Sequence, residues 1–293
     1  MFKKPKAAKN QGKATIFLTQ GFTLIELSIV LVIIGLIVGG VLVGQDLIRA
    51  AEIRATVSQI EKYNTAVNTF RGKYGYIPGD LPAAQVNQFQ LTTGNVIPAT
   101  ATVGDGSGLI EGGAVSGSTT GSIAFTGEPV LFWNELTVAG YMDGSYGATG
   151  LTAAGDTGGF TASVANWNLW IPPAKLGRGN SVNVVSVSGL NYYALSGYSG
   201  AVASGTGSVG AGTNNLTPTE AYNIDKKVDD GLPATGIVKA IDGTAAANAL
   251  AGVGSITTAG VGTTNCAGTN GNTAYAVGTQ ATTQACSLLL RFN

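Results

Sequence analysis

The sequence predicts an α+β protein in which one long N-terminal helix packs on an antiparallel β-sheet and long Gly/Ser/Thr-rich loops decorate it. Three observations carry this. An apolar run from Leu27 to Gly44 continues without a break into an amphipathic pattern. β-branched runs begin near residue 181. Glycine supplies 44 of 293 residues, about twice the usual share, which implies much loop.

Composition removes several function classes. The chain has no histidine, so zinc sites built on His, Ser-His-Asp or Cys-His catalysis and His proton shuttles are excluded. Five of the 16 basic residues, Lys3, Lys4, Lys6, Lys9 and Lys13, precede Gly21; without them 11 basic residues face 16 acidic ones, a net charge of −5. A surface of that sign gives no reason to expect nucleic-acid contact.

Residues 1–21 read as a lysine-rich targeting tail held on the cytoplasmic side, so the body beyond Gly44 faces outward. Three fates are open for it. Cleavage after the apolar core, at Gly39-Gly40 or Gly44, gives a secreted protein; no cleavage gives a signal anchor; cleavage before the core gives a new N-terminus at Phe22. Glu26 stands out, because a charged side chain at membrane depth costs about 2.5 kcal/mol or more. Either an opposite charge compensates it or it sits at headgroup level.

The stretch Gly21-Phe22-Thr23-Leu24-Ile25-Glu26-Leu27 and the apolar run behind it resemble the prepilin cleavage motif of type IV pilins and type II secretion pseudopilins. The resemblance implies that a dedicated prepilin peptidase cuts between Gly21 and Phe22 and that the new amine of Phe22 is methylated. It also implies that Glu26 pairs with the N-terminal ammonium of Phe22 in a neighbouring subunit during assembly. The 21-residue leader is longer than in many members that begin with Phe, so no pilus subclass follows.

Residues 22–44 are long enough to cross a hydrocarbon core of about 30 Å. Gly35/Gly39 and Gly40/Gly44 form small-xxx-small pairs, which suit close helix packing and are equally ordinary in membrane helices. Residues 45–74 continue amphipathically: Ile53, Val57, Ile60, Tyr63, Val67, Phe70 and Tyr74 form the apolar stripe, with Arg54, Gln59, Glu61, Lys62 and Asn68 between. Gly72, Gly75 and Pro78-Gly79-Asp80-Leu81-Pro82 end the spine, which covers 22–74 and leaves 75–293 as a globular head.

Within the head, residues 83–126 read as surface loop or irregular β structure without a core. A short helix follows at Glu128–Leu136, capped by Thr126 and stopped by Gly140. Its Phe132-Trp133-Asn134-Glu135-Leu136 with Ala139-Gly140-Tyr141-Met142 resembles a helix-and-turn of some large pilin-like proteins. Trp133, Trp167 and Trp170 read as core or shoulder residues rather than a ligand cage. Ser181–Ser188 and Asn191–Leu195 suggest an antiparallel pair. Gly205–Gly210 matches G-x-G-x-x-G but opens no helix, so it is not read as a dinucleotide site, and Asn215-Leu216-Thr217 is a glycosylation sequon only in form.

Thr217-Pro218-Thr219-Glu220 opens a helix through Ile224 and Val228 to Gly231. Asp225, Asp229 and Asp230 cluster at its end, where the helix dipole disfavours them. They are either solvated beside Lys226 and Lys227 or, as in some pseudopilins, bind calcium; otherwise no cofactor is implied. Gly236–Ile241 and Ser287–Phe292 read as further strands. Cys266 and Cys286 read as a disulfide formed outside the cytoplasm, with two free buried thiols as the alternative.

The resemblance implies a structural protein, not an enzyme: a type IV pilus or pilus-like filament subunit. The inner membrane holds it before assembly, and an extracellular or periplasmic filament afterwards. Its partners are the prepilin peptidase, identical or related pilin subunits, and an assembly platform with its ATPase. A type II secretion pseudopilin and a membrane-anchored adhesion protein that does not polymerise are the alternatives.

Overall fold

The computed structural model of the chain describes residues 23–91, 104–110, 128–146, 168, 171–187, 189–199, 208–209, 216–242, 266, 274–278 and 286–292. Two compact units divide at Ile48/Arg49. Helix α1, Leu24–Tyr74, supplies the described residues of the first unit after Thr23 and the opening helix of the second. As expected, it ends before Gly75, whose φ of +79° is a left-handed conformation that suits glycine.

In the first unit α1 is predominantly apolar, and its large apolar side chains from Leu24 (88% exposed) to Ile48 (59% exposed) are exposed all round. A helix with no polar face fits hydrocarbon or a helix bundle. It is long and apolar enough to cross a membrane.

In the second unit the helix becomes one-sided and packs against the sheet through Ile53, Thr56, Gln59, Ile60, Tyr63, Ala66, Val67, Phe70 and Tyr74. Two members of this stripe depart from the expected pattern. Val57 is only partly buried, and Gln59, assigned from its polarity to the outer face, is buried. The reason is hydrogen bonding: Gln59 Nε2 donates to Tyr63 Oη at 2.7 Å and to Pro173 O at 2.9 Å, while its Oε1 accepts from Lys175 N–H at 2.8 Å. A polar group with its partners supplied inside can be buried at little cost.

The sheet has the order β1-β2-β5-β4, with the two-residue β3 (Ser208–Val209) pairing with β2, and every pair is antiparallel. β1 (Asn180–Val187) and β2 (Leu190–Ser199) are the expected pair, joined through Gly189. β4 is Val238–Asp242 and β5 is Cys286–Arg291. β5 lies centrally between β2 and β4, and its Leu288, Leu289 and Leu290 are all buried. An uninterrupted apolar run suits a strand covered on both faces. Aromatic side chains join helix to sheet: the Tyr63 ring of α1 lies 6.1 Å from that of Tyr193 on β2, which in turn stacks on Phe292 at 4.5 Å.

Helix α3, Glu128–Val138, ends at Gly140 with φ +74°, as the sequence predicts; its expected cap Thr126 lies outside the described residues. Trp133 is fully buried, whereas Trp167 and Trp170 also lie outside them. Helix α4, Pro218–Val228, has the predicted reciprocal cap: Thr217 Oγ1 accepts from Glu220 N–H and the Glu220 carboxylate accepts from Thr217 N–H. Of the G-x-G-x-x-G stretch, Ser208 and Val209 form β3 and open no helix. The remainder of that stretch and Asn215 are outside the described residues.

The reading of residues 83–126 as coreless loop is corrected by two features. Helix α2, Ala83–Gln88, follows Pro82, and its Val86, with Leu91 beyond it, enters the core. Residues 104–110 lie over the β1–β2 hairpin: Ile110 N–H donates to Asn191 Oδ1 at 2.9 Å, Asn191 Nδ2 donates to Gly108 O at 2.9 Å, and Ile110 is 1% exposed. A six-residue helix is too short to declare a period, and the loop is held by hydrogen bonds to residues about 80 positions away.

Candidate functional site

The first site is the start of α1. Thr23 N–H and Thr23 Oγ1–H both donate to Glu26 Oε2, at 2.8 and 2.7 Å, and Glu26 N–H donates to Thr23 Oγ1 at 3.3 Å. This is a capping box: two orphan amides of the helix start are satisfied by the side chains of Thr23 and Glu26. The T-x-x-E pattern is legible in the sequence, yet the role of Thr23 escapes a reading focused on the charge of Glu26. Within one chain the carboxylate thus turns back on its own helix end, with a negative charge beside the positive end of the dipole. Gly21 and Phe22, the expected cleavage and methylation positions, lie outside the described residues.

The second site is the C-terminal end of α4, where Asp225, Asp229 and Asp230 come together as the sequence suggests, their ligand atoms within 4.8 Å of one another. All three carboxylates hold protein donors. Asp225 accepts from Tyr275 Oη–H at 2.7 Å and Gly231 N–H at 3.2 Å, Asp229 from the N–H groups of Ile237 and Val238, and Asp230 from Leu232 N–H at 2.8 Å and Thr235 Oγ1–H at 2.5 Å. These bonds offset the dipole penalty by tying the helix end to the turn that leads into β4. Burial pushes Asp225 up to about 6 against the pull of the Tyr275 hydroxyl and the Gly231 amide, with Asp230 and Asp229 pushing it further. Asp230 is held below the usual range by Thr235 and Leu232.

Cys266 and Cys286 form the expected disulfide, with Cα atoms 5.0 Å apart, and both are buried. It joins the first residue of the central strand to a segment that also returns through Ala276 N–H to Cys266 O at 2.9 Å.

The third cluster was not predicted. Asp80 follows the spine; its Oδ1 accepts from Gly106 N–H at 2.8 Å and its Oδ2 from Gly108 N–H at 2.7 Å. Gly104 passes so close to the Asp80 backbone that a Cβ there would overlap it. Asp105 and Glu128 complete a group whose ligand atoms lie within 4.8 Å of one another. Glu135, 1% exposed on α3, accepts from Gly79 N–H through Oε2 at 2.6 Å. Burial raises Asp80, with the Gly108 and Gly106 amides opposing and Asp105 adding to the rise. Burial takes Glu135 up to about 8 against the Gly79 amide, and the charges of Asp80 and Glu128 push the same way. No sequence period links these residues, because they come from a turn, a loop and a helix.

A family model described as the prokaryotic N-terminal methylation motif matches residues 18–42, which include Gly21, Phe22, Thr23 and Glu26. No curated protein and no solved structure matches the chain. The match covers the N-terminal motif and the first part of the membrane-length helix, so it makes the chain pilin- or pseudopilin-like at its N-terminus, and it does not extend into the head.

Proposed function

We propose that this chain is a prepilin whose mature form is a structural, non-catalytic subunit of a type IV pilus or pilus-like filament. The observation that carries the reading is the pairing of a methylation motif at residues 18–42 with a helix half whose large apolar side chains are exposed all round. A hydrophobic stretch of this length needs lipid before assembly and other helices after it. Cleavage between Gly21 and Phe22 creates an ammonium four residues from Glu26, and a carboxylate in an apolar bundle is tolerated when it meets such a charge. On the same reading, a prepilin peptidase processes the chain in the inner membrane, an assembly platform with its ATPase extrudes it, and the head stands outside the cytoplasm.

Mass spectrometry of the mature N-terminus tests processing: methylated Phe22 is expected, and Gly21→Ala retains the leader. An intact leader on wild-type protein sinks the proposal. Imaging sheared surface fibres from a Glu26→Ala strain tests assembly, with loss of fibres expected and normal fibres removing the pairing role. Mature protein that never enters fibres favours the non-polymerising anchor, and fibres that depend on a secretion system favour a pseudopilin.

A further inference from the structure

We propose that Asp80, Asp105 and Glu128 form a binding site for one divalent cation of the calcium class, with the carboxyl group of Glu135 as an outer neighbour. Their ligand atoms lie within 4.8 Å of one another. Calcium takes oxygen ligands at about 2.3–2.6 Å, so oxygens at opposite poles of one ion stand about 4.6–5.2 Å apart. The spacing of the three carboxylates thus falls within the span of one coordination shell.

The donor set decides the chemistry. It is entirely carboxylate oxygen, the chain has no histidine, and both cysteines are in the disulfide. Hard cations prefer such sites, and the soft or nitrogen-seeking metals find nothing here.

An independent observation points to a ligand. Glu135 is 1% exposed, and its Oε1 has no hydrogen-bond partner. The other oxygen of the same carboxyl is fixed on Gly79 N–H, the peptide that leads into Asp80. Glu135 also follows Glu128 by seven residues on α3, about two turns, and so shares its helix face. Among the described residues, the charges that act on Asp80 and Glu135 come from Asp105, Asp80 and Glu128, all negative. A buried carboxyl oxygen with no partner, set beside a group of carboxylates, is costly in isolation. A water held by the ion would supply its missing partner, and the ion itself would neutralise the group. The site would then pin three separate pieces of chain together: the turn after α1, the 104–110 loop and the start of α3.

The test uses the full chain, purified in detergent and stripped of metal. Equilibrium dialysis against radioactive calcium should give one bound ion per chain, saturating at the millimolar or submillimolar levels of extracellular calcium modules, about 10⁻⁴–10⁻³ M. Calcium should also raise the unfolding temperature of the wild type relative to chelator. Asp105→Asn is the informative variant, because Asp105 is exposed and asparagine keeps the oxygen that accepts from Ser107 N–H. It should weaken calcium binding at least tenfold while leaving the unfolding temperature in chelator unchanged. Asp230→Asn, in the other acidic group, should bind like wild type. No saturable binding up to about 10 mM calcium, well above the range of such modules, overturns the proposal. So does wild-type binding by Asp105→Asn, loss of binding in Asp230→Asn, or tighter binding of magnesium than of calcium.

Discussion

Replacing Gln59 with alanine removes the side chain that fastens α1 to the segment entering β1. Three groups lose their partner at once: Tyr63 O–H, Pro173 C=O and Lys175 N–H. A buried group left unsatisfied costs about 1–3 kcal/mol. Pro173 and Lys175 are exposed enough for water to replace part of what is lost, so about 1 kcal/mol for each group gives a total near 3 kcal/mol. A domain of this size shifts its midpoint by about 2–4 °C per kcal/mol, so thermal unfolding followed by near-ultraviolet circular dichroism should fall by about 6–12 °C. Gln59→Glu adds a check of sign. At neutral pH its carboxylate can accept from Lys175 N–H and Tyr63 O–H, but it faces Pro173 O with no proton to give. Burial and that opposed carbonyl raise its folded pKa, so its stability is greatest below about pH 4, the ordinary glutamate range, and is lost as pH rises through the raised value. An alanine variant within about 1 °C of wild type, against the shift expected here, would refute the reasoning. So would a glutamate variant whose deficit is the same at pH 4 and pH 7.

Three further outcomes are expected. Changing Cys266 and Cys286 together to alanine opens a cross-link spanning 20 residues and should cost about 3 kcal/mol in urea unfolding on the chain-entropy account; an unchanged midpoint contradicts it. Asp225 has a folded pKa of about 6 against 3.8, so its contribution is fully present below about pH 3.8 and lost as pH rises through about 6. Asp225→Asn should therefore gain on wild type between pH 4 and pH 7 by about 1–3 kcal/mol, and a pH-independent difference between the two proteins would count against that assignment. Thr217→Ala removes one half of the α4 capping box and should cost about 1 kcal/mol by chemical denaturation, whereas Thr217→Ser should be nearly neutral.

Local patterns were legible wherever one residue's chemistry decided the outcome. Thr217, Pro218 and Glu220 announce a helix start because cap, fixed φ and return hydrogen bond fall within four residues. The valines of β1 and the tyrosines of β2 announce a hairpin for a similar reason. Gln59 was misread because polarity predicts exposure only while no internal partner is available, and its partners lie about 115 residues away. The acidic group around Asp80 was invisible for the same reason: Gly79, Asp105, Glu128 and Glu135 meet only after the spine, a loop and α3 have found one another. At the N-terminus the charge of Glu26 was read and its hydrogen bonds to Thr23 were not, although both follow from the same six residues.

The central position of β5 has a consequence for biogenesis. The ribosome makes β1, β2 and β4 first, but β2 and β4 flank a gap that only residues 286–291 fill. At about 5–20 residues per second, the head spends several seconds after β2 appears with an open seam of unpaired amides and carbonyls. Throughout that interval α1 is already complete. On the proposed reading, the chain would therefore be anchored by a finished helix while its head is unfinished; the late strand carries Cys286, so closing the sheet and forming the cross-link await the same stretch of chain.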